Sequence, residues 1–178
     1  IELAGFISSE VNRVNDLVAR FLDFARPLQL QVATVALAPL LERAISDAQE
    51  RWPDAPVRVE RAYPPHPMNL AADATLLERA FSTLVANAFE AMLPQGGVLR
   101  IQTGADTAHL HIRFADSGSG VPGELREQIF NPFFTTKPTG TGLGLPIVAK
   151  IVDQHGGSLR LAECAGAGAC FEIILPCS

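Results

Sequence analysis

Apolar residues at Ile7, Val11, Val14, Val18, Phe21 and Ala25 recur at alternating spacings of four and three. That is heptad spacing, which lays one stripe along a helix. Leu17 and Leu22 widen the stripe, Glu10, Asn12, Arg13, Asp16, Arg20 and Asp23 occupy the other face, and Pro27 ends it. A seam this long, ahead of everything else, predicts an external bundle or dimer interface rather than a core helix. Residues 39–52 then read as a helix with Leu40, Leu41, Ala44, Ile45 and Ala48 inward, and 57–63 alternate like a strand. A proline-punctuated connection over 64–68 leads to Asp73, the expected N-cap of a long helix running to about Met92.

Strand patterns over 98–103 and 108–115 flank a turn and predict a hairpin. A Gly/Pro-rich stretch over 117–142 follows, with a short helical piece at 124–129. So long an irregular segment inside a domain is usually functional. A helix over 143–155, stopped by Gly156-Gly157, and strands over 158–162 and 169–175 complete the chain. Helices and strands fall in runs with hairpins, so the expected class is α+β: a two-layer α/β sandwich, its sheet mixed but mainly antiparallel, helices on one face.

Composition narrows the function. With 178 residues the chain holds one core plus an arm. Its 48% hydrophobic and 19% charged content describes a folded protein, and no apolar run reaches the length of a membrane span. A formal charge of −5 with dispersed basic residues argues against nucleic acid as partner. Cys164, Cys170 and Cys177 form no C-x-x-C pair, which argues against a disulfide framework or a zinc site and suits a reducing cytoplasm. No signal peptide is read at the N-terminus, and the start within a helical pattern is what a piece of a longer protein would show.

Four clusters carry chemistry, and their order matters more than any one of them. Asn87-Ala88-Phe89-Glu90-Ala91 lies on the long predicted helix; taken alone, an Asn there is a satisfied polar residue. Asp116-Ser117-Gly118-Ser119-Gly120 ends an apolar strand, pairing a carboxylate acceptor with glycines that let a ligand approach the backbone. Ile129-Phe130-Asn131-Pro132-Phe133-Phe134 sets aromatics beside a loop. The run from Thr135 through Thr136, Lys137, Gly140, Thr141, Gly142, Leu143 and Gly144 to Leu145 enters a helix. Free backbone N–H groups at a helix start favour phosphate, and Lys137, one of only two lysines, suits a mobile cation closing over it. Neither G-x-x-x-x-G-K-[ST] nor a βαβ-embedded G-x-G-x-x-G is present, so a different nucleotide fold is implied.

The ordered set resembles the asparagine, first glycine, phenylalanine and second glycine boxes of bacterial two-component sensor histidine kinases. The resemblance covers residues 35–178 as an ATP-binding catalytic domain of the Bergerat fold. Residues 1–27 are similar to the second helix of the family's dimerisation and phosphotransfer hairpin, with 28–34 as linker. It implies ATP and Mg²⁺ as cofactors, with Asn87 holding the metal and Ala91 in the same box lining the nucleotide site. Asp116 would accept from the adenine amino group, with Gly118 and Gly120 making room. Phe133 and Phe134 would anchor a lid over 135–141, including Thr135, Thr136, Gly140 and Thr141. Gly142, Leu143, Gly144 and Leu145 would offer the phosphate end, with Lys137 in a catalytic role. The implied activity is transfer of the γ-phosphoryl to a histidine on an upstream hairpin helix, then to the receiver aspartate of a response regulator. The parent would be a homodimer with an upstream sensor domain, cytoplasmic here, with room for attachment to the inner membrane elsewhere.

Two departures bear on that reading. Where the family often has a second Asn, and hydrolytic relatives a Glu, this chain has Thr83. None of His66, His109, His111 and His155 stands in the phosphoacceptor context, so no histidine is assigned a role and the acceptor is expected upstream. The alternatives are a degenerate kinase acting as a nucleotide-sensing docking module, and a serine kinase or ATPase of the same fold.

Overall fold

The computed structural model describes residues 11, 22, 26–137, 140–164 and 166–177. Most of the heptad seam therefore lies outside the described residues. Val11 and Leu22 are helical and exposed, at 52% and 55%.

The elements run β1 (Ala33–Ala36), α1 (Leu37–Arg51), β2 (Val57–Ala62), β3 (Asn69–Ala72), α2 (Ala74–Met92), β4 (Gly97–Ala105), β5 (His109–Asp116), α3 (Gly144–Gln154), β6 (Ser158–Ala162) and β7 (Cys170–Pro176). Two 3₁₀ turns, Gly123–Leu125 and Gln128–Phe130, stand where a single helical piece was expected. Neither buries a residue fully, although Ile129 and Phe130 of the second pack partly against the core. Two strands were not anticipated. β1 and β3 pair antiparallel as a separate ribbon, from Ala33 opposite Ala72 to Ala36 opposite Asn69. Ala33 and Thr34, within the expected linker, are its first residues.

The main sheet has the order β2-β4-β5-β7-β6, with β2 parallel to β4 and every other pair antiparallel. Its inward residues, among them Leu99, Ile101, Ile112, Phe114 and Ile173, share one core with Leu77, Phe81, Leu84, Val85 and Ala88 of α2 and Val148, Ile151 and Val152 of α3. Phe81 meets Phe114 at 5.9 Å between ring centroids. On the other face the register aligns Arg113, Glu172 and Arg160 across β5, β7 and β6. Glu172 is fully buried beneath the two arginines.

Asp73 caps α2 as expected, its Oδ1 accepting from Leu76 N at 3.0 Å. The cap is also the junction between α2 and α3. Asp73 N donates to His155 Nε2 at 3.0 Å, while His155 Nδ1 faces the Ile151 carbonyl at 2.7 Å. Nε2 accepts from the helix cap and Nδ1 faces the chain's own carbonyl, so His155 serves the architecture. Among the described residues no helix is long and apolar enough to cross a membrane.

Candidate nucleotide-binding site

The site is built on α2. Its apolar stripe (Leu77, Phe81, Leu84, Ala88) is buried against the sheet, which turns Thr83, Asn87 and Glu90 partly toward solvent. The loop after β5 meets this helix near its end. A Cβ on Gly118 would lie 2.6 Å from the Ala91 carbonyl oxygen, so only glycine permits that approach, and Ser119 N donates to the same oxygen at 3.4 Å. Ala91 thereby ties the first cluster to the second.

Asp116 ends β5 and is 9% exposed. Gly118 N, at 2.8 Å, and Ala169 N, at 3.3 Å, both donate to Oδ1, which leaves Oδ2 to accept from a ligand. Burial pushes this carboxyl above the ordinary aspartate range, and the two backbone donors pull it part of the way back. Ser117, at the same strand end, instead secures β4: its Oγ accepts from Val98 N at 2.9 Å.

The segment after the 3₁₀ turns comes back over α2. Phe130 packs edge-on against Phe171 at 6.5 Å, whereas Phe133 is half exposed and holds φ +68°. What fixes this end of the loop is backbone: Phe133 N donates to Gly142 O at 3.0 Å. Phe134 is partly buried, and its N–H donates to Asn131 O at 3.2 Å. Thr135 Oγ1 accepts from Lys137 N at 3.1 Å, and Gly140 N donates to Lys137 O at 3.1 Å, so Lys137 sits in a compact turn. Thr136 and Gly140 are exposed, Thr141 is partly so, and Pro138 and Thr139 lie outside the described residues. Leu143 is buried at the start of α3, which begins at Gly144 without a side-chain cap. Pro146 has no N–H and Ile147 N donates to Leu143 O at 3.0 Å, so the start of α3 offers an anion the N–H groups of Gly144 and Leu145. Leu145 packs partly on the core.

The geometry brings Lys137 onto α2. Its Nζ lies 3.5 Å from Asn87 Oδ1 and 2.5 Å from Glu90 Oε2. Glu90 was in the first cluster but carried no expected role; nothing in the sequence spacing places residue 137 beside it. Thr83 donates its hydroxyl to Arg79 O at 2.8 Å, and its methyl faces Gly144, where an added Cβ would come within 3.3 Å. An open depression of about 420 Å³ lies between the loop after Asp116 and the β6–β7 turn, lined by Ser119, Arg126, Cys164 and Ala167 among others. None of Asn87, Asp116 and Lys137 lines it.

The family model for "Histidine kinase-, DNA gyrase B-, and HSP90-like ATPase" matches residues 72–178. The sensor histidine kinase ZraS of Escherichia coli O157:H7 is 34% identical over 98% of this chain and 38% of its own length. The catalytic domain of histidine kinase ThkA is 31% identical, with TM-score 0.75 over 82% of this chain and 95% of that one. ThkA in complex with the response regulator protein TrrA aligns with TM-score 0.80 and 26% identity, over 97% of this chain and 50% of that one. The chain spans between one fifth and two fifths of the length of the curated relatives it matches. It has the Bergerat-type ATP-binding fold. The chain belongs to the histidine kinase-, DNA gyrase B- and HSP90-like ATPase family, and within it to the catalytic domains of bacterial sensor histidine kinases.

Proposed function

We propose that the chain presents the γ-phosphoryl of ATP to a histidine on an upstream hairpin helix, for relay to the aspartate of a response regulator. The observation that carries the reading is the approach of Lys137 Nζ to Asn87 Oδ1, which brings the lid cation and the α2 amide oxygen to one point. Adenine is read at Asp116, where Oδ2 accepts from the exocyclic amine and Gly118 and Gly120 leave room. The triphosphate then runs along α2 toward the uncapped start of α3, where Gly142, Leu143 and Gly144 supply backbone donors.

Mg²⁺ fits this point: the amide oxygen of Asn87 is a hard oxygen donor, the kind it takes alongside phosphates and water. When bound, it would neutralise charge developing on the phosphate oxygens. Asn87 orients the phosphate end, Lys137 adds a second positive charge there, and the Phe133–Gly142 backbone bond holds the lid root that aligns them. Positioning and charge neutralisation supply most of the catalysis in phosphoryl transfer.

Transfer is favoured over hydrolysis because the Thr83 hydroxyl is committed to the Arg79 carbonyl and no carboxylate stands there to activate water. Residues 1–27 are read as the second hairpin helix, 28–34 as linker and 35–178 as the catalytic domain. Val11 and Leu22, each helical and exposed, support a seam that closes in a four-helix dimer bundle. The ThkA–TrrA complex supports a response regulator as partner. The site works on cytoplasmic ATP, whatever anchors the parent protein.

Joining this chain to a hairpin helix that carries the phosphoacceptor histidine and adding γ-labelled ATP tests the proposal. Acid-labile label on the histidine is expected; ADP formed with no label on protein would overturn it.

A further inference from the structure

We infer that Glu90 is a positioning residue for Lys137: in the nucleotide-free chain it latches the lid lysine onto α2, and it hands the ammonium to the phosphates when ATP arrives. The inference deepens the proposed function and rests on it.

Glu90 lies one turn of α2 from Asn87, so both side chains share the face over which the lid passes. Its Oε2 is the nearer partner of Lys137 Nζ, at 2.5 Å against 3.5 Å for Asn87 Oδ1. The carboxylate, not the amide, therefore sets where the ammonium rests. That resting place is beside the oxygen read as the metal ligand, and two cations cannot share it without repulsion. Occupying the site must displace Lys137.

The carboxylate is built to let go. Glu90 Oε1 lies 4.0 Å from Arg51 Nη2 at the end of α1. Arg51 is itself held over the Trp52 ring at 4.5 Å, and Trp52 stacks on Phe89 at 5.8 Å. When Lys137 leaves, Glu90 keeps a counter-ion and does not face an incoming polyphosphate as a lone negative charge. Both partners are partly exposed, with side-chain exposures of 43% for Lys137 and 34% for Glu90. Such a pair is worth a factor of about two to five, enough to bias a lid and weak enough for ATP to break.

Two readouts test the latch in the 178-residue chain. Amide exchange at residues 135–137 and 140–143 without nucleotide should quicken about two- to five-fold in Glu90→Gln and in Lys137→Met. The double variant should exchange no faster than either, and Glu90→Asp should stay close to wild type. Calorimetric ATP affinity without metal should tighten about two- to five-fold in Glu90→Gln, and that gain should vanish in the Lys137→Met background. Unchanged exchange in Glu90→Gln overturns the latch. So does an affinity gain that persists without Lys137, which would make Glu90 a mere repulsive charge. Failure of the folded wild-type chain to bind ATP would instead sink the functional reading, while the exchange arm still reports on the latch.

Discussion

The backbone N–H of Phe133 donates to Gly142 O at 3.0 Å, and both residues adopt left-handed φ, +68° and +67°. The bond closes the root of the lid, so the loop between them is a tied excursion rather than a free strand. A Cβ on Gly142 would overlap the backbone carbonyl of Phe133, which cannot swing aside as a side-chain tip could. Gly142→Ala should therefore cost about 1–3 kcal/mol at the lid root. ATP affinity, measured by calorimetry, should drop about tenfold (~1.4 kcal/mol), with little change in the thermal midpoint of the core. An unchanged affinity would mean that the lid root does not hold the site.

Asp116 separates binding from stability. Its folded carboxyl titrates above the ordinary range because it is buried. The protonated form thus favours folding: that contribution is complete below the unfolded value and is lost as pH rises through the raised folded value. At neutral pH the ionised group costs stability, so Asp116→Asn should unfold no earlier than wild type. Yet an amide nitrogen in place of Oδ2 would oppose the adenine amine, and ATP binding should weaken at least tenfold. Wild-type affinity should also decline as pH falls through the raised value, while the variant's remains flat over that window. Calorimetry across pH, beside thermal melts, checks both halves.

The helix α2 was legible from its apolar stripe and Asp73, and Ser158–Ala162 was read with both its ends, because long periodic runs and strong stops act locally. The ribbon was not. Four residues such as Asn69-Leu70-Ala71-Ala72 carry two inward positions, too few to separate a strand from a helix start. Likewise, the parallel β2–β4 pairing is a choice of partner, and no local pattern encodes it. In the site, Asn87, Asp116 and the glycine-rich run were visible because each sits in an ordered motif. The contact of Glu90 stayed hidden because its partner is a lysine 47 residues away.

Glu172 provides a test on the opposite face of the sheet. Burial pushes its carboxyl up, but Arg113 Nε at 2.7 Å and Arg160 Nε at 2.5 Å outweigh that and bring it below the usual glutamate range. A depressed folded value stabilises the fold above the unfolded pKa and ceases to do so as pH falls through the folded one. Glu172→Gln preserves volume but loses the charge-assisted bonds. It should lower the unfolding free energy at neutral pH by about 1.5–3 kcal/mol. The gap from wild type should narrow once pH falls below about 4.3. Urea denaturation at several pH values reads this directly; equal stabilities at neutral pH would show that the two arginines contribute nothing net.

The most direct test of the nucleotide site is calorimetric titration of ATP, with and without Mg²⁺, into the wild-type chain and Asn87→Ala. Alanine favours the helix as well as asparagine does or better, so the variant should fold. Wild type should bind ATP more tightly with the metal than without it, and Asn87→Ala should lose that difference. A folded wild-type chain that binds no ATP, or a variant whose metal dependence matches wild type, would contradict the site.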